Sequence, residues 1–437
     1  MTAPRGSGIA DAVRGLPWRL LLPSVVILVA AALTPASELH SNQGDVGLYL
    51  EKARALASGL VPYRDFPFEY PPLALVPMVV PYLVWPFSRL AVEGYAWLFV
   101  AWEAALMLVL AVVLARIVRL GGTSDEADDV SSMADRLVVL SIGAALAIAF
   151  RFDLYPALLV MVALWLSLER RPVAAGVAVG FGVLAKLYPL AIVPALAIPW
   201  LVPLDAGRLV RYGVAVVGSI VLVLLPFVAP AGTDTFGFLT YQAERGLQVE
   251  SIGGGLAVLL GLINGHTVDM SFGFSAVQVA GPFADAWLAV LPALTVVGFG
   301  VLGWIGWRHV RRGPVPAATA VTLTFASVLV VLATSKVFSI QYVVWMVPFA
   351  ALLRGGKFWL AAAIIALTMP IHPLLYAELV KQQALPILIL NLRNGLFLAL
   401  TAWVLRDLAL GAQPAAVDLV VAPPSSAAPR PTSTGSG

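Results

Sequence analysis

The feature that most restricts this chain is a succession of apolar runs whose alternate ends carry arginine or lysine. Runs over 95–114, 156–168, 187–201, 287–307, 341–353 and 384–405 lead into Arg116 and Arg119, Arg170 and Arg171, Arg208 and Arg211, Arg308, Arg311 and Arg312, Arg354 and Lys357, and Arg406. Runs over 16–36, 137–150, 173–185, 212–230, 315–334 and 358–375 alternate with them. With 60% hydrophobic and 12% charged residues, too little polar surface remains for a water-soluble domain. The runs therefore read as membrane helices, the form that satisfies every backbone polar group within one segment. Clusters of Arg and Lys mark cytoplasmic ends, which gives about twelve spans with both termini inside. The predicted fold class is an all-α polytopic membrane protein.

Some segments depart from this pattern. A basic start followed by the 16–36 run also describes a signal peptide, but continued insertion favours an uncleaved first span. Residues 73–87 carry Pro77, Pro81 and Pro86, which suits an interfacial or re-entrant element better than a span. The apolar, Gly-rich stretch 252–263 is too short to cross and is expected on the interface. Several runs of about 13–15 residues fall short of the ~20 that a perpendicular helix needs. Residues 121–135 read as an acidic, Ser-rich cytoplasmic loop, and 411–437 as a disordered tail. The expected organisation is a cytoplasmic segment 1–15, a membrane domain 16–405 and a cytoplasmic end 406–437. The membrane domain would contain outer loops at 37–93 and 231–284.

The first outer loop holds Asp45, Glu51, Lys52, Arg54, Arg64, Asp65 and Glu69 among Tyr49, Tyr63 and Tyr70. The topology also sends Arg151, Asp153, Lys186, Lys336, Gln341 and His372 to that side. Three stretches put a charge beside an aromatic at the outer boundary: Arg151 to Pro156, Lys186 to Pro189, and Lys336 to Tyr342. With no cysteine, disulfides, thiolate chemistry and Cys-ligated metal are excluded, and four histidines make a His-rich metal site unexpected.

These residues carry a resemblance. Asp45 with Tyr49, then Gly59-x-x-Pro62-Tyr63, then Glu69-Tyr70-Pro71-Pro72 resembles the first outer loop of GT-C glycosyltransferases. The pattern is most similar to bacterial polyprenyl-phosphate-mannose-dependent alpha-mannosyltransferases of the mycobacterial lipid-glycan type. The stretches Phe152-Asp153-Leu154-Tyr155-Pro156, Ala185-Lys186-Leu187-Tyr188-Pro189 and Lys336-Val337-Phe338-Ser339-x-Gln341-Tyr342 resemble further parts of that family. Ile340 departs from it, where proline is expected. The resemblance implies inverting transfer of a sugar, mannose before arabinofuranose, from a polyprenyl phosphate on the outer face of a bacterial plasma membrane. The acceptor would be lipid-linked or a glycan. Asp45 would be the base, with Glu69 next in line. Cations at interface depth, Lys186, Lys336, Arg151 and Arg64, would hold the phosphate. Asp153, Tyr63, Tyr70, Gln341 and His372 would contact substrate. Beyond the bilayer and these lipids no partner is expected: no metal, no cofactor and no nucleic acid.

Each assignment has a plainer counterpart. Asp45 can cap a helix starting near Val46. Lys186 and Lys336 can be snorkelling anchors, and Arg151 can pair locally with Asp153. Asp65 is expected to fix a turn. Glu103 and Arg393 fall inside spans, each about 14 Å deep at 1.5 Å per residue, and their similar depth points to a buried pair. The rival to an enzyme is a twelve-span secondary transporter, which calls for repeated halves and midplane charges; the halves show no likeness.

Overall fold

The computed structural model describes residues 17–34, 36–84, 91–120 and 126–411, without the side chains of 36–44 and 126–127. Segment 1–15 and the tail beyond Gly411 lie outside the described residues. The principal helices are α1 (Leu22–Leu33), α2 (Ala36–Ala57), α3 (Leu75–Val84), α4 (Val92–Arg119), α5 (Glu126–Gly143) and α6 (Ala145–Phe150). They continue with α7 (Leu154–Leu168), α8 (Pro172–Ala185), α9 (Ala206–Ala231), α10 (Gly237–Glu244), α11 (Ile252–Asn264) and α12 (Pro282–Arg312). The series closes with α13 (Ala317–Ala333), α14 (Gly355–Met369) and α15 (Ala384–Leu410). The fold class is the expected one, predominantly helical and polytopic.

Among the described residues, five helical stretches are long and apolar enough to cross a bilayer: Val92–Arg119, Ala206–Glu244, Pro282–Arg312, Gly355–Leu374 and Ala384–Leu410. The other runs are shorter or broken, for identifiable reasons. Pro189, Pro194 and Pro199 cut the 187–201 run into single turns of 3₁₀ and α-helix. Tyr188, Ile192, Leu196 and Trp200 along it are buried. Irregular backbone is tolerated at membrane depth where protein rather than lipid surrounds it. The long helices α9 and α12 do the opposite: Val214, Val217 and Leu222, and Val296, Val297 and Trp304, are exposed to what would be lipid.

Two sequence expectations are corrected here. Asp45 does not cap a helix, because α2 starts at Ala36 and Asp45 lies well inside it. Residues 121–135 are not one loop: α5 begins at Glu126 and continues into the apolar run, stopping at Gly143 before α6. Its acidic residues are used, since Asp129 pairs with Arg354 and Asp135 with Arg19. Lys357 and Asp407 form a further pair, tying the start of α14 to the end of α15. All three pairs lie on the side that the Arg/Lys pattern assigns to the cytoplasm.

Close packing of α8 on α9 depends on small residues four apart. A Cβ on Gly176 would stand 2.6 Å from the Tyr212 carbonyl oxygen, and one on Gly180 would collide with the Ser219 hydroxyl. Such a pair lets two helix backbones approach, as membrane helices do without a hydrophobic drive between them. The 231–284 loop is more ordered than expected. It contains α11, at the place foreseen, and a small antiparallel sheet of β1 (Leu247–Gln248), β2 (Met270–Gly273) and β3 (Ala276–Val279), with β3 central. Phe274 and Ser275, both at positive φ, turn the β2–β3 hairpin.

Candidate active site

Residues 45–72 pack against helix ends from distant parts of the chain. Asp45 is presented from α2, and one carboxylate oxygen stands 2.6 Å from Nε of Arg151. Arg151 follows the last turn of α6, where the backbone becomes extended, and its side chain is nearly buried. Two residues on, Asp153 is buried and accepts from Lys186 Nζ at 2.5 Å and from Trp345 Nε1 at 2.7 Å. The local Arg151–Asp153 pair allowed by the sequence is not formed. Each charge instead finds a partner on another element.

Lys186 ends α8 inside an aromatic enclosure. Its ammonium lies 5.1 Å from the Phe152 ring centre, 5.0 Å from Tyr342 and 5.3 Å from Trp345. Tyr188 and Tyr342 both stack on Trp345, at 3.9 and 4.0 Å. Burial holds the lysine below its ordinary value, opposed by the Asp153 carboxylate. The three charge-and-aromatic stretches picked out in the sequence therefore meet in one place. Tyr70 joins them edge-on to Phe152 at 5.0 Å, as does Tyr49 at 5.7 Å.

Other candidates spread outward from this centre. Glu69 is half-buried and, together with Asp45, acts electrostatically on Tyr241. His372 lies within electrostatic reach of both Asp45 and Arg151, packs on Tyr376 and leaves Nδ1 buried without a partner. Gln341 is half-buried one residue before Tyr342. Lys336 donates to the Ala243 carbonyl at 2.7 Å, so the anchor reading does not describe it fully.

Two candidates have structural duties instead. Tyr63 sits at φ 69°, a costly conformation for a bulky residue, and its hydroxyl donates to the Tyr70 carbonyl at 2.7 Å. Arg64 grips Asp65 through two hydrogen bonds of 2.9 and 2.8 Å, and Asp65 also accepts from the Val61 backbone. These bonds hold Asp65 down at about 2, as a turn-fixing carboxylate should be. Among the described residues no contact links Arg64 to the Asp45 or Asp153 pairs.

The expected Glu103–Arg393 pair is also absent. Both Glu103 oxygens are buried without a hydrogen-bond partner, and its nearest charge influence is Asp153. Arg393 lies 4.2 Å from the Phe338 ring centre and donates to the Glu250 carbonyl at 2.9 Å, leaving Nε and Nη1 unpartnered. Equal depth along two helices does not put two side chains on facing sides.

Sequence reasoning missed Arg245, Gln248, Glu250 and Trp345. Gln248 donates to Glu250 at 2.5 Å and to Ser339 Oγ at 2.8 Å, and accepts from the Phe338 backbone at 3.0 Å. Burial pushes Glu250 up to about 7, against the pull of Arg393 and Gln248. Arg245 acts electrostatically on Tyr342, Lys186, Lys336 and Glu250. The available signal was the alternation of polar with apolar residues from Leu247 to Ser251, just before the Ser251 cap of α11.

Comparison with known proteins gives the class of chemistry. No curated protein sequence matches the chain. Among solved structures, the apo oligosaccharyltransferase of Archaeoglobus fulgidus is similar at 14% identity and a TM-score of 0.41. That alignment covers 92% of this chain but 56% of the archaeal one, so the chain spans little more than half of its length. The model of glycosyltransferase family 87 matches residues 68–335. The matched segment includes Glu69, Arg151, Asp153 and Lys186, while Asp45 lies upstream of it. The match agrees with the GT-C resemblance noted in the sequence and sets the chain among transferases rather than transporters. Because it extends over more than half of the 437 residues, the chain belongs to glycosyltransferase family 87 and is a multi-pass membrane glycosyltransferase.

Proposed function

We propose that this enzyme transfers a sugar, mannose in our reading, from a polyprenyl-phosphate donor to a lipid-linked or glycan acceptor on the outer face of a plasma membrane. Asp45 acts as base and the anomeric carbon inverts. The observation that carries the reading is the Asp45–Arg151 contact at 2.6 Å, beside the buried Asp153–Lys186 pair. It puts a partly exposed carboxylate next to a cation of the kind a departing phosphate needs.

The contact also orders the events. Lone pairs engaged by a guanidinium are not free to take a proton. A donor phosphate competes with Asp45 for Arg151, because a guanidinium bonds phosphate oxygens in pairs as it does those of a carboxylate. As Arg151 turns to the donor, Asp45 is released to the acceptor hydroxyl. The acceptor oxygen then gives its proton to Asp45 and bonds to the anomeric carbon. The bond from that carbon to the phosphate oxygen breaks on the opposite face, and polyprenyl phosphate leaves with both electrons. Lys186, locked to Asp153, keeps the floor of the site rigid.

Asp45→Asn tests the base. The amide keeps the size of the side chain and cannot take the proton at neutral pH. In purified, donor-saturated enzyme we expect transfer to fall by roughly 10²-fold or more. Near-normal transfer would move the role to Glu69. Labelled mannosyl and arabinofuranosyl polyprenyl phosphates, offered in parallel with extracted lipids and read by mass spectrometry, test the sugar and the acceptor.

A further inference from the structure

A groove of about 620 Å³ opens beside α12, within the ~300–1,000 Å³ of ligand sites. One wall is apolar, with Leu288, Leu291 and Pro292 leading to Thr295. The polar end is formed by Arg245 and Lys336, with the exposed carboxylate of Glu244 on the rim. Val290, Leu294, Val296 and Val297 on the neighbouring faces of α12 are exposed, so the groove opens toward lipid. It lies in the half of α12 far from Arg308, Arg311 and Arg312, on the side of the candidate active site.

The polar end is electrostatically incomplete. Burial and the nearby Arg245 both push Lys336 below its ordinary value. Two cations held together at partial burial repel, and an anion between them relieves both. Arg245 also acts electrostatically on Tyr342, which lines the Lys186 enclosure. A phosphate held here would sit at the threshold of the active site. By contrast, Lys186 is already engaged by Asp153 and closed over by rings. An acceptor glycan would need walls that donate and accept hydrogen bonds, and the α12 wall offers mainly hydrocarbon.

We propose that this groove holds the polyisoprenoid chain of a lipid monophosphate, with Arg245 and Lys336 gripping the phosphate on its way to Arg151. The proposal rests on the donor class given above and assigns the donor a binding track.

Photo-crosslinking tests it in the full-length protein in nanodiscs. The probe is a polyprenyl monophosphate carrying a diazirine on its chain. Crosslinks are expected on the α12 peptide containing Leu288 to Thr295. Thr295→Trp, which fills the groove from a half-exposed position, should weaken binding of the long-chain phosphate by about tenfold and spare a short isoprenyl phosphate. Arg245→Gln should weaken both. Crosslinks confined to other helices, or long-chain binding untouched by Thr295→Trp, would overturn the proposal. The readout is binding, so it is independent of turnover. A protein that binds the probe in the groove without transferring sugar refutes the proposed reaction and leaves the groove standing.

Discussion

Asp153 is the side chain on which the inner half of the site depends. Its carboxylate is almost wholly buried and satisfies both Lys186 and the Trp345 indole. Asp153→Ala leaves an uncompensated ammonium in that enclosure and should cost about 3–5 kcal/mol, read as a loss of thermal stability. Replacing both partners, as in Asp153→Leu with Lys186→Met, should cost less than the single change. Glu250 makes a second case with a definite sign. Its folded value of about 7 lies above that of an unfolded glutamate, so the folded state holds the proton longer. Stability contributed below the unfolded value is lost as pH rises toward 7, at up to about 1.4 kcal/mol per unit. Glu250→Gln should remove that slope between roughly pH 5 and 7, measured by unfolding of the detergent-solubilised protein. Arg151, Asp153 and Lys186 were legible because charges at outer span ends are uncommon. Their partners were not, since a linear pattern gives depth and side but not azimuth. Arg245 and Glu250 escaped notice because charges in a long outer loop look ordinary.

At the scale of elements, the α8–α9 seam is the most exacting contact. Gly176→Ala puts a methyl group 2.6 Å from the Tyr212 carbonyl oxygen, a backbone atom that cannot rotate away, and overpacking of this kind costs about 1–3 kcal/mol. Gly213→Ala and Gly218→Ala on α9 meet open space and should be neutral or stabilising by about 0.5–1 kcal/mol. Melting temperatures of the three variants in one detergent check the contrast. Equal losses in all three would mean that the seam is not close-packed. Long apolar helices such as α4 and α15 could be read directly, because hydropathy reports them without help from neighbours. The three-stranded sheet could not, since strands of two to four residues are too short to show a period. The start of α5 was obscured by its acidic residues, which are held by Arg354 and Arg19 from elsewhere in the fold.

For the whole molecule, the charges divide into two layers. Asp129–Arg354, Lys357–Asp407 and Asp135–Arg19 form one layer, and the Asp45, Asp153 and Arg245 groups form the other. Single cysteines introduced into this thiol-free chain should be labelled from outside at 64, 336 and 372, and from inside at 119, 208 and 312. Labelling of 64 and 119 from the same side would refute the arrangement. The rings around Lys186 bear on a different variable, ionic strength. Salt screens charges beyond about 8 Å at physiological concentration, but only where ions and water can reach them. Arg64–Asp65 and Arg19–Asp135 stand in solvent, whereas Asp153–Lys186 is closed behind Phe152, Tyr342 and Trp345. Brine should loosen the rim of the first loop and leave the floor of the site insulated, so that its geometry tolerates swings in salt concentration.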